Sequence, residues 1–140
     1  INEEILIENK LFLIGATEKI IKSRPLIYRE HGSATRKAMS YYFRKTTQRK
    51  GIELTSNETV KQAVVAGLGY SIIPLIGMRN ELQNKDVFII PSKGLPILTH
   101  WRLIWLKNKN LSPVAKAYLD FIRTEKENII KKHFYWYVDY

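Results

Sequence analysis

Leu54-Thr55-Ser56-Asn57-Glu58-Thr59-Val60-Lys61-Gln62-Ala63-Val64-Val65-Ala66-Gly67-Leu68-Gly69-Tyr70-Ser71-Ile72-Ile73-Pro74 reads as the end of a strand, a capped helix, a glycine turn and a second strand. Ile52 and Leu54 begin the extended run, and Thr55-x-x-Glu58 has the spacing of a capping box. Val60, Ala63, Val64 and Gly67 recur three and four residues apart, which places them on one helix face. Gly67 and Gly69 suit the left-handed backbone that ends a helix. Tyr70 to Ile73 is a short β-rich run stopped by Pro74. The whole is a βαβ unit, in which ligands meet the strand ends and the helix N-terminus.

Working outward, Pro25-Leu26-Ile27-Tyr28-Arg29 is a short strand and Glu30-His31-Gly32-Ser33 the loop after it. Ser33 is a good N-cap for a helix expected to reach about residue 50, with Ala38, Met39, Tyr42 and Phe43 apolar and Gly51 closing it. Upstream, residues 5–15 read either as two short strands or as one strand after an irregular lead-in, and residues 17–24 as a polar connector. Downstream, residues 76–82 suggest a short helix and residues 87–90 a strand. Pro91, Gly94 and Pro96 mark a crossing segment. Residues 98–106 alternate around Trp101, Leu103 and Trp105 as a long strand. Asn108-Lys109-Asn110 is a turn, and Ser112-Pro113 opens a helix with the stripe Val114, Ala117, Tyr118, Phe121 and Ile122. From Glu125 the chain is charged and then aromatic.

The 140 residues, 45% hydrophobic, are enough chain for a real core. No run approaches the about 18 apolar residues of a membrane span, and no signal peptide is legible. Zero cysteines exclude disulfides and thiolate metal sites and suit a cytoplasmic protein. The net charge of +10 invites a nucleic-acid reading. The lysines are scattered singly, however, so the charge is assigned to solubility.

The most chemically loaded stretch is Arg29-Glu30-His31-Gly32-Ser33-Ala34-Thr35-Arg36. Gly32 lets backbone approach a ligand, the helix start offers unpaired N–H groups, Ser33 and Thr35 add hydroxyls, and Arg36 can grip an anion. A second polar helix start, Thr55-Ser56-Asn57-Glu58, follows a strand of the same sheet and would face the same cleft. His31, His100 and His133 lack metal-ligand spacing, so no metal site is expected. Gly67-x-Gly69 follows a helix and is a turn, not a dinucleotide fingerprint. No catalytic constellation is present and none is expected.

The order Arg29-Glu-x-Gly-Ser-x-Thr-Arg36, Ser56-Asn-Glu-x-x-Lys-Gln-Ala-Val-x-Ala-Gly-Leu-Gly69, Ile73-Pro74, Gly94-Leu-Pro-Ile97 and Leu111-Ser-Pro-x-Ala115 with Phe121 resembles LysR-type transcriptional regulators. It is similar to the effector-binding domain of that family, with the RuBisCO-operon regulators as the nearest branch. The resemblance implies an α/β, periplasmic-binding-protein-like (type II) domain of two lobes around a small-molecule cleft, here as a C-terminal fragment. Residues 1–23 would end the first lobe and cross over, 24–91 form the second lobe, 92–124 return to the first lobe, and 125–140 extend beyond the family's usual end. The implied ligand-binding residues are Gly32, Ser33, Thr35, Arg36, Ser56, Tyr70 and Ser71.

The function so implied is effector sensing without catalysis: a small anionic metabolite of unknown identity binds in the cleft, and no cofactor is needed. The partners implied are that effector, a second copy or more of the chain (homodimer or homotetramer), and DNA only through an upstream helix-turn-helix, with no membrane. A stand-alone small-anion binding protein of the same fold is the alternative. An enzyme lacks its catalytic groups here, and a nucleic-acid module rests on net charge alone.

Overall fold

A computed structural model describes residues 1–46 and 51–140. Two compact units result: Asn9–Thr99, and Ile1–Glu8 together with His100–Tyr140. The long strand β1 (Asn2–Gly15) begins in the smaller unit and ends in the larger. Residues 5–15 are therefore one continuous strand.

In the larger unit, β2 (Leu26–Arg29) pairs in parallel with β3 (Gly51–Leu54), Arg29 lying beside Leu54. On its other side Leu26 bridges to Tyr70 in parallel, with Ile27 N–H donating to Tyr70 O (2.7 Å) and Tyr70 N–H to Pro25 O (3.1 Å). Tyr70 leads into β4 (Ser71–Pro74), which runs antiparallel to β1 in the register Leu11–Pro74, Phe12–Ile73, Leu13–Ile72 and Ile14–Ser71. β5 (Phe88–Ile89) adds to the far edge of β1. The strands thus follow the order β3-β2-β4-β1-β5. The unit takes in more than the segment 24–91, because Leu11 to Ile14 are locked against β4 and Ile90 N–H reaches Leu13 O (2.8 Å).

Helix α1 (Ala34–Tyr42) and helix α2 (Asn57–Val65) both pack on β2 and β4. Leu11, Leu13, Leu26, Tyr70, Ile72 and Ile90 form one hydrophobic cluster with Met39 of α1. Val60 and Val64 of α2 are wholly buried, as are Ile27 and Ile72, and Ile73 nearly so. The apolar spacing read from the sequence thus identifies the buried face of α2.

Four local expectations need correction. The capping box of α2 is Ser56 with Thr59, not Thr55 with Glu58: Thr59 N–H donates to Ser56 Oγ (3.0 Å) and Ser56 N–H to Thr59 Oγ1 (3.2 Å). Glu58 is drawn instead to Lys61. Helix α1 stops at Tyr42, because the carbonyls of Tyr41 and Phe43 are taken by the side chains of Arg44 and Thr46, which compete with the helical ladder. Gly51 then opens β3 rather than closing a helix, and the rest of the expected helix, 47–50, lies outside the described residues. Of Gly67 and Gly69, only Gly67 is left-handed (φ 75°); Gly69 is required because a Cβ there would collide with Pro25 O. The helix expected at 76–82 divides into a 3-10 turn (Leu75–Gly77) and α3 (Arg79–Gln83).

The smaller unit contains most of β6 (Ile97–Trp105), which pairs with β1, and α4 (Pro113–His133). Ser112 Oγ accepts from Ala115 N–H (3.2 Å) at the predicted cap. The helix continues well beyond residue 122, into the charged stretch. Arg123 and Lys126 both reach Glu4 (3.0 and 2.8 Å), and Lys131, Lys132 and His133 suit the negative end of the helix. Glu4 is held below the usual carboxylate range, chiefly by Lys126 and then by Arg123. A 3-10 turn (Tyr135–Asp139) follows, with Trp136 buried. The protein's three tryptophans, Trp101, Trp105 and Trp136, all lie in this unit. Among the described residues no helix is long and apolar enough to cross a membrane.

Candidate functional site

Parallel pairing of β2 with β3 puts the helix starts that follow them at the same end of the two strands. Gly32 turns the chain in the left-handed region (φ 93°), and Ser33 then caps α1, its Oγ accepting from Arg36 N–H (3.4 Å). One strand over, Ser56 caps α2. Each cap satisfies one N–H and leaves those of Ala34 and Thr35, and of Asn57 and Glu58, at the open helix ends. Two such ends, with the hydroxyls of Ser33, Thr35 and Ser56 beside them, make a short electropositive rim.

Arginines brace this rim. Arg29 Nη1 donates to Asn57 Oδ1 at the start of α2 (2.6 Å), while its Nε and Nη2 hold Glu30 (2.8 and 2.9 Å). The guanidinium keeps the Glu30 carboxyl below its ordinary range, and Glu30 in turn raises Arg29. Arg36 Nη1 donates to Arg29 O (2.6 Å) and Glu53 Oε2 (2.8 Å), with its guanidinium 5.3 Å above the Tyr28 ring. Each arginine of the loop therefore carries its own carboxylate. The rim's attraction for an anion comes from the N–H groups and hydroxyls, and much less from net charge.

Of the seven residues singled out in the sequence, the structure brings Gly32, Ser33, Thr35, Arg36 and Ser56 to this rim. Tyr70 and Ser71 lie elsewhere. The parallel bridge to Leu26 sets them at the beginnings of the strands, whereas the rim follows the strand ends. Ser71 Oγ donates to Ile27 O (2.6 Å) in the core, and Tyr70 OH accepts from Ile21 N–H and donates to Lys19 O (3.4 Å). Sequence reasoning held Asn57 only as part of the second polar helix start and missed its contact with Arg29; it missed Glu53 altogether, because both contacts depend on the register of β2 against β3. No group of three or more metal-ligating side chains occurs among the described residues.

A cavity of about 340 Å³ lies at the C-terminal end of α1, lined by Leu26, Tyr28, Tyr42, Phe43, Arg44 and Tyr70 among others. It is a separate place in the same unit.

A mixed sheet flanked by helices, with two capped helix starts at one end of its parallel strands, is an α/β domain. Residues 16–127 match the LysR substrate binding domain, and the chain belongs to that family, with its periplasmic-binding-protein-like fold. It is similar to the HTH-type transcriptional activator CmpR of Synechocystis sp., 34% identical over 142 residues that cover 92% of this chain and 47% of CmpR. The RuBisCO operon transcriptional regulator of Allochromatium vinosum is 40% identical over 101 residues, 71% of this chain and 33% of that protein. These relatives are transcriptional regulators and not enzymes, and the branch is the one the motif order implied. The chain spans about half the length, or less, of the curated relatives it matches.

Among solved structures, the regulatory domain of Synechocystis CcmR in complex with 2-PG superposes with a TM-score of 0.79 at 28% identity, covering 91% of this chain and 67% of that one. The regulatory domain of HypT from Salmonella typhimurium shares the fold at 17% identity, with a TM-score of 0.71 over 91% of this chain and 66% of that one.

Proposed function

We propose that the chain is the effector-sensing part of a LysR-type DNA-binding transcriptional regulator, and that a small anionic metabolite docks on the rim at Ser33 and Ser56. The observation that carries this reading is the placement of two capped helix starts at one end of the paired strands β2 and β3, with Arg29 reaching Asn57 and Arg36 reaching Glu53. An anion there meets the N–H groups of Ala34 and Thr35 and the hydroxyls of Ser33, Thr35 and Ser56. Arg36 acts as a brace, since Glu53 already neutralises it. Tyr70 and Ser71 hold the strands in place from the core. The 2-PG bound by the CcmR regulatory domain makes that compound the first to try.

In the whole protein, DNA contact belongs to a helix-turn-helix outside this chain, the assembly is a homodimer or homotetramer, and the location is cytoplasmic. No cofactor enters this mechanism; the effector alone shifts the domain.

Calorimetry with 2-PG and with inorganic phosphate, on the full-length regulator carrying this chain, tests the site. A charge-assisted hydrogen bond is worth roughly 1.5–3 kcal/mol, so Thr35→Val should weaken the bound anion about tenfold or more. Ser33→Gly should do likewise, while costing only a few tenths of a kcal/mol, roughly, in helix stability. Unchanged affinity in both variants would move the site away from this rim.

A further inference from the structure

We propose that the larger unit carries a second ligand site, for an aromatic carboxylate, in the cavity at the C-terminal end of α1. The proposal is independent of the rim, which lies at the other end of that helix. The volume of about 340 Å³ falls in the range of small-molecule sites. Its floor is apolar and rigid: Leu13, Leu26 and Tyr70 are at most 5% exposed. Its walls are the half-buried rings of Tyr28, Tyr42 and Phe43, the last two edge-to-face at 4.9 Å. Tyr42 is fixed by its hydroxyl, which donates to Lys93 O (2.8 Å). Held rings of this kind favour a flat apolar occupant.

The polar end is supplied by Arg44, an exposed member of the lining. Among the described residues, three arginines lie on α1 or beside its ends. Arg29 and Arg36 are paired with Glu30 and Glu53, whereas Arg44 has no carboxylate partner among the described residues. Its guanidinium rests 3.8 Å from the centroid of the Tyr41 ring with Nη1 on Tyr41 O (2.8 Å), which orients the charge without neutralising it. The carbonyls of Tyr41 and Phe43 at the helix end are already occupied by Arg44 and Thr46. An incoming carboxylate therefore meets the guanidinium rather than open carbonyl oxygens. Tyr28 lines the cavity, and its ring centroid lies 5.3 Å from the Arg36 guanidinium.

The probe is 2-naphthoate, compared with its neutral counterpart 2-naphthamide, by calorimetry on the full-length protein. Arg44→Glu should weaken 2-naphthoate about tenfold or more and change 2-naphthamide by less than about twofold. Ser92→Phe, which projects into the cavity, should weaken both, and Thr35→Val should weaken neither. If Ser92→Phe does not fold, Arg44→Glu decides, because that side chain is exposed. The proposal is overturned by no binding of 2-naphthoate at millimolar concentration. It is overturned equally by unchanged affinity in Arg44→Glu, or by loss in Thr35→Val, which would place the probe on the rim.

Discussion

Helices α2 and α4 open in the same way, with a serine cap and an apolar stripe, yet their stripes meet opposite fates. Val60 and Val64 of α2 are wholly buried, while Val114, Tyr118 and Phe121 of α4 are 80%, 55% and 54% exposed. Of the α4 residues only Leu119, outside the predicted stripe, is buried. Periodicity tells which face of a helix is apolar, but not what covers it. For α2 the cover is β2 and β4, close in sequence. For α4 it is not among the described residues, and an exposed apolar face of this width is the mark of an interaction surface.

The comparison breaks most readily at the buried face of α2. Val64→Ala, at a wholly buried site, should cost about 1.5–3 kcal/mol in urea unfolding followed by circular dichroism. A loss under about 1 kcal/mol would mean that this face is no better covered than that of α4.

Even the charged flank of α2 is covered. Lys61 is 7% exposed, its Nζ bonded to Glu81 (2.7 Å), Glu58 (2.9 Å) and Gly77 O (3.1 Å). Burial pushes its pKa down, but the hydrogen bonds to Glu81 and Glu58 outweigh that and raise it above the ordinary 10.5. Lys61→Met leaves Glu81 half-buried and unpaired and should cost about 1–3 kcal/mol at neutral pH. A raised lysine contributes fully below pH 10.5 and loses its contribution as pH rises through the higher folded value. Glu58, held low by Lys61 and then Gln62, contributes above pH 4.5 and loses its part as pH falls below it. The gap between parent and variant should therefore be widest in between and narrow at both ends. A gap that stays constant across this range would remove the ion pairs from the account.

On α4 the expected effect is smallest. Phe121→Ser should change stability by no more than about 0.5 kcal/mol. It should also lower self-association in sedimentation velocity if a second copy covers the stripe. A cost above about 1 kcal/mol would show that the ring is already packed.

Much of the larger unit was legible because its signals are local. Pro25 and Pro74 bound strands, Ser33 and Ser56 cap helices, and the Val60–Val64 spacing gives the buried face. The errors have local causes of another kind. Ser56 outcompetes Thr55 because Glu58 is drawn off by Lys61, and the end of α1 is set by Arg44 and Thr46 reaching back to carbonyls. The charged stretch after Ile122 looked like a tail because its partner, Glu4, is far away in sequence. The rim was half legible. Gly32, Ser33 and Ser56 announce helix starts, but the pairing of Arg36 with Glu53 follows from strand register, which no single sequence displays.

The confinement of all three tryptophans to one unit gives the molecule a built-in optical partition. Excited at the red edge, the chain emits only from the unit of β6 and α4, and the unit bearing both candidate sites is dark. Melting of the sheet around Ile72 would be seen by dichroism and missed by emission. Any divergence between the two signals would then measure how far each unit unfolds on its own terms.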